Sequence, residues 1–270
     1  MINECVICVI NHKQDLQQYE QLSLLRIIDF CYTNNILHNL CLVLPNNMDI
    51  NMFWSKYINP FLIDKHIDNS ISYLLLDHIA FSSLNAYNNM LSLSINFYGH
   101  FCGKYKYMLT YQLDGYIFDN QLEYFLNKQY DYIGGYYLPM YVNMMKYNEY
   151  ENIDSEHHLV MNSGVSLKKI SFCIDSIKEN YTNCINGIEF NNVHSYINDD
   201  DFFSMFYNTE VSAVDSIKFS LNYSAAETHY AINNFQYPFC CHAFHKSKFL
   251  QKLIDNYNKE HNLDYSKYIK

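Results

Sequence analysis

The segment Tyr107-Met-Leu-Thr-Tyr-Gln-Leu-Asp114 is a largely apolar run of strand length that leads directly into an aspartate. Runs of this kind are typical of strands in a parallel sheet, which is buried on both faces. In open α/β sheets the ligand crevice lies at the carboxyl ends of the strands. A carboxylate at Asp114 can therefore hold a divalent metal or a ribose hydroxyl, although an aspartate that caps the following turn fits this position equally well.

The rest of the first third of the chain alternates between strand and helix patterns. Apolar runs predict further strands at Cys5–Ile10, Leu40–Leu44 and Ile71–Leu76. Apolar residues at helical spacing predict helices over Leu16–Tyr32, Ile50–Tyr57 and Leu84–Phe101. This alternation predicts an α/β fold with a mostly parallel central sheet and helices on both faces.

The second half of the chain has shorter segments and closely spaced turn signals. These signals are Gly134-Gly135, Asn162-Ser-Gly164, Asn186-Gly187 and Asn191-Asn192. Helices are predicted over Lys168–Asn180 and Lys246–His261. Because no Pro-, Gly- or Ser-rich linker separates the halves, we expect a single domain over residues 1–270 with an irregular C-terminal half.

Composition excludes several classes of protein. With 27 Tyr and 18 Phe and only 17% charged residues, the chain is not disordered. Its net charge of −10 argues against a nucleic-acid binder held by phosphate contacts. No run approaches the length of a membrane-spanning helix, and the N-terminal residues do not resemble a signal peptide. Nine cysteines fit reduced thiols in a cytoplasmic protein better than a disulfide framework.

Two polar clusters in the second half could carry chemistry. The triplet Asp199-Asp200-Asp201 fits a helix N-terminus, which is the commoner reason for such a cluster, or a general base or metal ligand. The segment Pro238–Lys246 holds two thiols and two imidazoles, but adjacent cysteines do not suit structural zinc. His242 is better explained as a phosphate or metal contact. The segment Asn162–Lys168 is predicted to form a turn followed by the start of a helix. The free backbone amides of such a helix start could bind an anion, although an ordinary capped helix fits the pattern as well.

Read together and in order, these segments resemble a bacterial family of glycosyltransferase-like proteins with the GT-A fold, whose function is unassigned. The family pattern includes YQLDAYVF, GNGGFSLRK, NEDVFF and PFGCHAW. The matching stretches here are VICVINHK, SLLRIIDF, SSLNAYNNMLSLSINFYGHF, YKYMLTYQLDGYIF, YDYIGGYY, MNSGVSLKK, NDDDFF and PFCCHAFHK. They are collinear over about residues 5–248, which makes the resemblance specific.

The resemblance implies transfer of a sugar from a nucleotide-sugar donor to a glycan acceptor in surface polysaccharide assembly. Asp200 would be the general base of an inverting reaction, with Asp199 beside it. The residues implied for donor binding are Gln112, Asp114, Tyr87, Asn88, His242 and Lys246. Those implied for the acceptor are Gly164, Ser166 and Lys168. Residues 1–118 would form the nucleotide-sugar-binding half and residues 119–270 the acceptor-side half.

Departures from the family pattern bear on metal binding and on the acceptor pocket. The D-x-D motif of the family, which faces the donor diphosphate through a metal, would need an acid at Gln112. Binding of a divalent cation (Mn or Mg) is therefore left open, with Asp114 and His242 as its candidate ligands. Lys168 stands where the family has arginine, so a compact ammonium replaces a planar guanidinium that could bind a ligand through two nitrogens. Asn222 stands where an acid is usual.

Two other functions stay open at this point. A non-catalytic glycan- or nucleotide-binding module with a degenerate glycosyltransferase fold is favoured by Gln112 and opposed by Asp114, Asp200 and His242. A nucleotidyltransferase would bring a Gly- and Lys-rich phosphate loop after the first strand, which this chain lacks. The expected partners are a nucleotide-sugar donor and a glycan or lipid-linked glycan acceptor, with no nucleic acid. We expect a cytoplasmic location and leave peripheral contact with the inner membrane face open.

Overall fold

The computed structural model describes residues 2–137, 159–187, 199–207 and 209–270. Within these ranges the strands are β1 (Cys5–Ile10), β2 (Leu40–Pro45), β3 (Ser72–Leu76), β4 (Tyr107–Gln112), β5 (Tyr116–Ile117), β6 (Tyr132–Tyr136), β7 (Met161–Lys169), β8 (Ser220–Asn222) and β9 (Cys240–His242). The α-helices are α1 (Gln18–Thr33), α2 (Ile50–Phe53), α3 (Asn59–Asp64), α4 (Leu84–Leu93), α5 (Ile95–Gly99), α6 (Leu122–Lys128), α7 (Ile170–Gly187), α8 (Asp199–Phe206), α9 (Ala213–Phe219), α10 (Ala226–Ile232) and α11 (Lys248–Glu260). A π-helix, Trp54–Ile58, joins α2 to α3.

The central sheet has the strand order β3-β2-β1-β4-β7-β6. Strands β3, β2, β1 and β4 are parallel, whereas β7 is antiparallel to both β4 and β6. Every residue of β1 and β2 is buried, so the middle of the sheet is covered on both faces. The predicted α/β fold with a mostly parallel sheet is therefore confirmed.

A second sheet of three short strands, in the order β5-β9-β8, carries His242 at the end of β9. It is tied to the first half of the chain by Arg26, the only arginine of the sequence. This buried side chain lies on α1 and donates from Nε to the carbonyl of Ile117 at 2.7 Å and from Nη2 to that of Phe118. The guanidinium thus fixes β5, and through it β9, against the main fold.

Most elements predicted for the first half are confirmed, with three differences in extent or environment. Helical structure from Ile50 continues to Asp64 through the π-helix. The helix predicted over Leu84–Phe101 is divided at Ser94, whose hydroxyl accepts a hydrogen bond from the Phe97 amide and caps α5. Strand β3 is largely exposed because it lies at the edge of the sheet.

The turn signals of the second half were wrong at two places. Gly134 and Gly135 lie inside β6, and a Cβ at Gly134 would stand 2.0 Å from the Asn162 carbonyl oxygen, so close strand approach explains the glycine. The segment Asn162–Lys168 lies within β7, and the next helix begins only at Ile170. The proposed anion-binding helix start at this segment is therefore excluded. The predicted turn at residues 191–192 lies outside the described residues.

Across the described ranges, we find no helix with the length and apolarity needed to cross a lipid bilayer.

Candidate active site

A pocket of about 540 Å³ opens at the carboxyl ends of β1 and β4. The chain places β2 and β3 on one side of β1 and then returns to place β4 on the other side. Ligands of open α/β sheets bind at such a reversal point. The residues that line the pocket are Ile10, Asn11, His12, Lys13, Tyr19, Glu20, Phe81, Ser83, Leu84, Tyr87, Gln112, Leu113, Asp114, His245 and Lys246.

Three predicted side chains converge at the edge of this pocket. His242 Nε2 lies 3.1 Å from Asp114 Oδ1 and 3.3 Å from Gln112 Oε1. The Gln112 amide nitrogen donates to the Tyr87 hydroxyl at 2.9 Å, which leaves its oxygen directed toward the imidazole. Tyr87 from α4 thus orients Gln112, and the end of β4 and the end of β9 form one polar site.

The surroundings of Asp114 favour its ionised form. Although burial alone would raise the pKa of this carboxyl, the neighbouring His242, followed by His245 and Lys246, lowers it below the usual value. A carboxylate is therefore present at neutral pH. Burial lowers the pKa of His245, so Lys246 is the charged base of this group, and a phosphate-bearing ligand of a chain whose net charge is −10 would depend on such a local cation.

Gly164 allows His242 to reach this position. A Cβ at Gly164 would stand 2.1 Å from His242 Nε2, so any side chain there would displace the imidazole. We expect Gly164→Ala to destabilise the fold by about 1–3 kcal/mol through overpacking and to weaken ligand binding at Asp114. Urea unfolding and ligand titration would measure both effects, with Gly99→Ala as control, because a Cβ at Gly99 meets nothing within 4 Å. Equal behaviour of the two variants would contradict this role of Gly164.

Asp200 lies at the start of α8 and is held by three hydrogen bonds. Its Oδ1 accepts from the Ser163 amide at 2.7 Å. Its Oδ2 accepts from the Tyr137 hydroxyl at 3.1 Å and from Asn162 Nδ2 at 3.3 Å. Burial and the neighbouring Asp199 charge raise the pKa of Asp200, although the Ser163 hydrogen bond lowers it in part. A fixed carboxylate with a raised pKa has the properties of a general base.

Lys168 is not an acceptor contact, contrary to the sequence-based expectation. Its side chain is fully buried on β7, and its Nζ lies 3.5 Å from Asp199 Oδ2 and 4.9 Å from the centre of the Phe203 ring. Asp199 is itself only 4% exposed. The two residues form a buried ion pair behind Asp200, so Asp199 is not accessible to an acceptor either.

The remaining predicted residues divide between pocket and core. Tyr87 and Lys246 line the pocket. Asn88 is buried within α4, which fits packing rather than ligand contact. Ser166 is fully buried, and its hydroxyl donates to the Ser163 carbonyl at 3.0 Å, so it does not face an acceptor. The adjacent Cys240 and Cys241 are buried free thiols in β9.

Several pocket residues were not predicted from the sequence. Lys13 follows β1 and pairs with Glu20 at 2.6 Å, while Tyr19 stacks on His245 with ring centres 4.3 Å apart. The position after a buried strand, which drew attention to Asp114, would also have identified Lys13. No sequence signal brings Tyr19 of α1 to His245, because they are joined only by tertiary packing.

The side chains at Asp114 offer donor types that a divalent cation accepts in part. Asp114 Oδ1 and Gln112 Oε1 lie 3.1 Å and 3.3 Å from His242 Nε2, and carboxylate and amide oxygens suit Mg²⁺ and Mn²⁺, whereas an imidazole is not a preferred ligand of Mg²⁺. Among the described residues, no group of three His, Cys, Asp or Glu side chains could hold a metal ion. A cation here would therefore need the Gln112 amide oxygen or oxygens of its ligand.

Comparison with known families gives a match over much of the chain. A family of proteins of unknown function, DUF5672, matches residues 70–242, which is more than half of the 270 residues. The chain belongs to the DUF5672 family. The DUF5672 range includes Asp114, Asp200 and His242, whereas the pocket residues between Ile10 and Glu20 and the pair His245 and Lys246 lie outside it. No curated protein matches the chain.

Solved structures similar to this DUF5672 protein include glycosyltransferases. The galactosyltransferase LgtC in complex with donor and acceptor sugar analogues is 9% identical, with a TM-score of 0.53, and the match covers 94% of this chain and 95% of LgtC. An active-site mutant of LgtC is 10% identical, again with a TM-score of 0.53, over 87% of this chain and 86% of that chain. The DUF5672 protein therefore has a GT-A-like fold, and at this level of identity the likeness concerns the fold alone.

Proposed function

We propose that this protein transfers a sugar from a nucleotide-sugar donor to a glycan acceptor, by an inverting reaction with Asp200 as the general base. The observation that carries this proposal is the convergence of Asp114, Gln112 and His242 beside the pocket at the reversal point of a GT-A-like sheet. Assembly of a surface polysaccharide, with a free or lipid-linked acceptor, is the proposed biological role.

The proposed division of the chain follows the lining of the pocket. The pocket is formed mainly by residues of the 1–118 half, which would bind the nucleotide, with His245 and Lys246 added from the second half. Asp200, on α8, belongs to the 119–270 half, which would bind the acceptor. His242 connects the halves, because its imidazole contacts Asp114 and packs against Gly164.

The proposed reaction is a single displacement at the anomeric carbon. The acceptor oxygen forms the new glycosidic bond while the bond between the sugar and the diphosphate breaks, and the acceptor proton passes to the Asp200 carboxylate. In the absence of a cation, His242 and Lys246 would stabilise the departing diphosphate. Asp114 and His242, with the Gln112 amide oxygen, are the residues that would hold a divalent cation, which supplies Lewis-acid stabilisation of the diphosphate when bound.

A non-catalytic binding module is the second candidate function. Gln112 favours it, since this residue stands where a D-x-D motif would have an acid and its amide is engaged by Tyr87. The two candidates differ in turnover: an enzyme consumes its donor slowly even without acceptor, and a binding module does not. Donor hydrolysis by the unmodified protein and by Asp200→Asn would distinguish them.

The first test is a thermal-shift panel of UDP-, GDP-, CMP- and dTDP-sugars, each with and without Mn²⁺. A ligand at ~100 times its Kd adds about 2.7 kcal/mol to the stability, which a melting curve resolves. We expect one nucleotide class to raise the Tm, and a larger shift with Mn²⁺ would support the cation. No shift with any nucleotide sugar would contradict the proposed function.

The pH dependence of the reaction should follow the pKa of Asp200. Because the base acts as the carboxylate, the rate falls as pH falls through this pKa, which burial and Asp199 raise above the usual value of about 3.9. Asp199→Asn removes the neighbouring negative charge, so we expect the acid limb of the kcat profile to move to lower pH. An unchanged acid limb in this variant, measured from pH 4 to 8, would count against Asp200 as the base.

A further inference from the structure

Tyr137 reaches the proposed base from the end of β6. Its amide donates to the Val160 carbonyl at 3.2 Å, which continues the pairing of β6 with the chain that enters β7. Its hydroxyl donates to Asp200 Oδ2 at 3.1 Å. Both Tyr137 and Asp200 are half-buried, so their contact lies where the core meets the surface. Tyr137 therefore belongs to the surroundings of the base, although it was not among the predicted site residues.

Asn162 fixes the direction of the hydrogen bond between Tyr137 and Asp200. The Gly164 amide donates to Asn162 Oδ1 at 2.9 Å, which turns the side-chain nitrogen toward the base. Asn162 Nδ2 then donates to the Tyr137 hydroxyl at 2.7 Å. An amide nitrogen cannot accept a proton in return, so the single proton of the Tyr137 hydroxyl is directed to Asp200. A run of donors thus begins at the backbone of β7 and ends at the carboxylate.

Tyr137 is a protonated donor at neutral pH. Burial and the negative charge of Asp200 raise the pKa of its phenol, although hydrogen bonds from Asn162 and Asn222 lower it in part. A donor to a carboxylate stabilises the ionised form. Tyr137 therefore favours the state that a base requires, in opposition to burial and Asp199, which raise the pKa of Asp200.

Two nearby tyrosines show what a structural hydroxyl does. Tyr132, also on β6, donates to the Met161 carbonyl at 2.6 Å and so links β6 to β7. Tyr130 donates to Asp215 Oδ2 at 2.6 Å and so fixes α9. The Tyr137 hydroxyl differs from both, because it ends on the carboxylate that is proposed to act in the reaction.

We propose that Tyr137 is a positioning residue, whose hydroxyl keeps the Asp200 carboxylate ionised and correctly oriented to receive the acceptor proton. The assignment rests on the proposed sugar transfer, in which Asp200 is the base. Tyr137 and Asn162 donate to Oδ2, and the Ser163 amide donates to Oδ1. Rotation of the carboxyl group would break all three hydrogen bonds, so the orientation of the base is set before the acceptor binds.

The variant Tyr137→Phe isolates this effect. Phenylalanine keeps the ring and removes only the hydroxyl. Other titratable groups also act on Asp200 from the elements packed around it, and the substitution leaves them in place. These are Asp199 on α8 with its partner Lys168 on β7, His242 on β9, Tyr87 on α4 and Tyr132 on β6.

The first readout is the pH profile of kcat for sugar transfer, with Tyr130→Phe as the matched control. Tyr130→Phe removes the same hydroxyl from a hydrogen bond with another aspartate, Asp215. Because loss of a hydrogen bond to a charged group disfavours the carboxylate, we expect the acid limb to move up by about 1–2 pH units in Tyr137→Phe only. Donor affinity should stay unchanged in both. Activity that falls only as far as the Tm does, with the acid limb in place, would show a structural role and overturn the proposal.

The second readout does not depend on turnover. NMR titration of the aspartate carboxyl carbons, with the Asp200 signal assigned from Asp200→Asn, measures the pKa of the base directly. We expect this pKa to rise in Tyr137→Phe and to stay constant in Tyr130→Phe. If the unmodified protein transfers no sugar, the proposed function fails, and a raised pKa still supports the hold of Tyr137 on Asp200. An unchanged pKa, or a Tyr137→Phe protein that does not fold, means that Tyr137 is not a positioning residue.

Discussion

Asp200→Asn is expected to lower the rate of sugar transfer by about 10²–10⁴-fold, the usual contribution of a positioned general base. The amide has no comparable affinity for the acceptor proton, so the loss should appear in kcat more than in donor affinity. Donor binding should persist because Asp114 and His242, which form the proposed diphosphate site, do not hydrogen-bond to Asp200. The measurement is transfer and donor hydrolysis under saturating donor, together with a titration of the nucleotide sugar.

Asp215→Asn is the matched control for this variant. Asp215 is also a hydrogen-bonded aspartate, which accepts from the Tyr130 hydroxyl at 2.6 Å, but it lies on α9 and is paired with Lys128 rather than with the β7 residues that hold Asp200. We expect it to lose stability without losing activity. If Asp200→Asn keeps more than a tenth of the rate, or if both variants lose activity in proportion to their stability, Asp200 is not the base.

Lys168→Met is expected to destabilise the fold by about 3–5 kcal/mol. Methionine has a length and flexibility similar to those of the lysine stem and can occupy the space beside Phe203. The substitution removes the lysine charge, however, and leaves Asp199 as an unpaired ion that is 4% exposed. The ion pair is itself buried and long, at 3.5 Å, so we assign the expected effect to the charge left behind rather than to the strength of the pair.

The double variant Lys168→Met/Asp199→Asn tests this explanation. Removing both charges should recover a large part of the stability lost in Lys168→Met, because no ion is then left without a partner. The control is Lys169→Met, whose ammonium lies 3.4 Å from Asp131 and is one-third exposed, and for which we expect less than about 1 kcal/mol. Urea unfolding measures all four proteins. A double variant as unstable as Lys168→Met would contradict the ion-pair explanation.

The first half of the fold was predicted well because its physical signals are local. A strand buried on both faces must be a continuous apolar run, and the runs at Cys5–Ile10 and Leu40–Leu44 have that form. The residue after such a strand must lie at the carboxyl edge of the sheet, which was sufficient to select Asp114. The sequence signals of the second half were ambiguous. Gly134 and Asn162 were interpreted as turn residues, but they lie where two strands approach each other closely, which also favours small residues.

Within the candidate site, position was predictable but environment was not. Asp114, Gln112 and His242 were selected separately, and the structure brings them within 3.3 Å of a common atom. Lys168 was expected to face an acceptor, yet its strand lies between β4 and β6 and turns the ammonium toward Asp199. Whether a lysine on a strand points to solvent or to the core depends on which face is covered, and that is decided by elements distant in the sequence.

The fold class, the strands that carry the pocket and the residue types available for chemistry could all be predicted from the sequence, because periodicity and strand ends are properties of contiguous residues. Which partner a polar group finds depends instead on contacts between elements that are distant in the sequence. Lys168 and Lys169 are indistinguishable as letters in the sequence. Packing pairs the first with Asp199 in the core and the second, which is one-third exposed, with Asp131, so the covered face of the strand separates a core ion pair from a surface one.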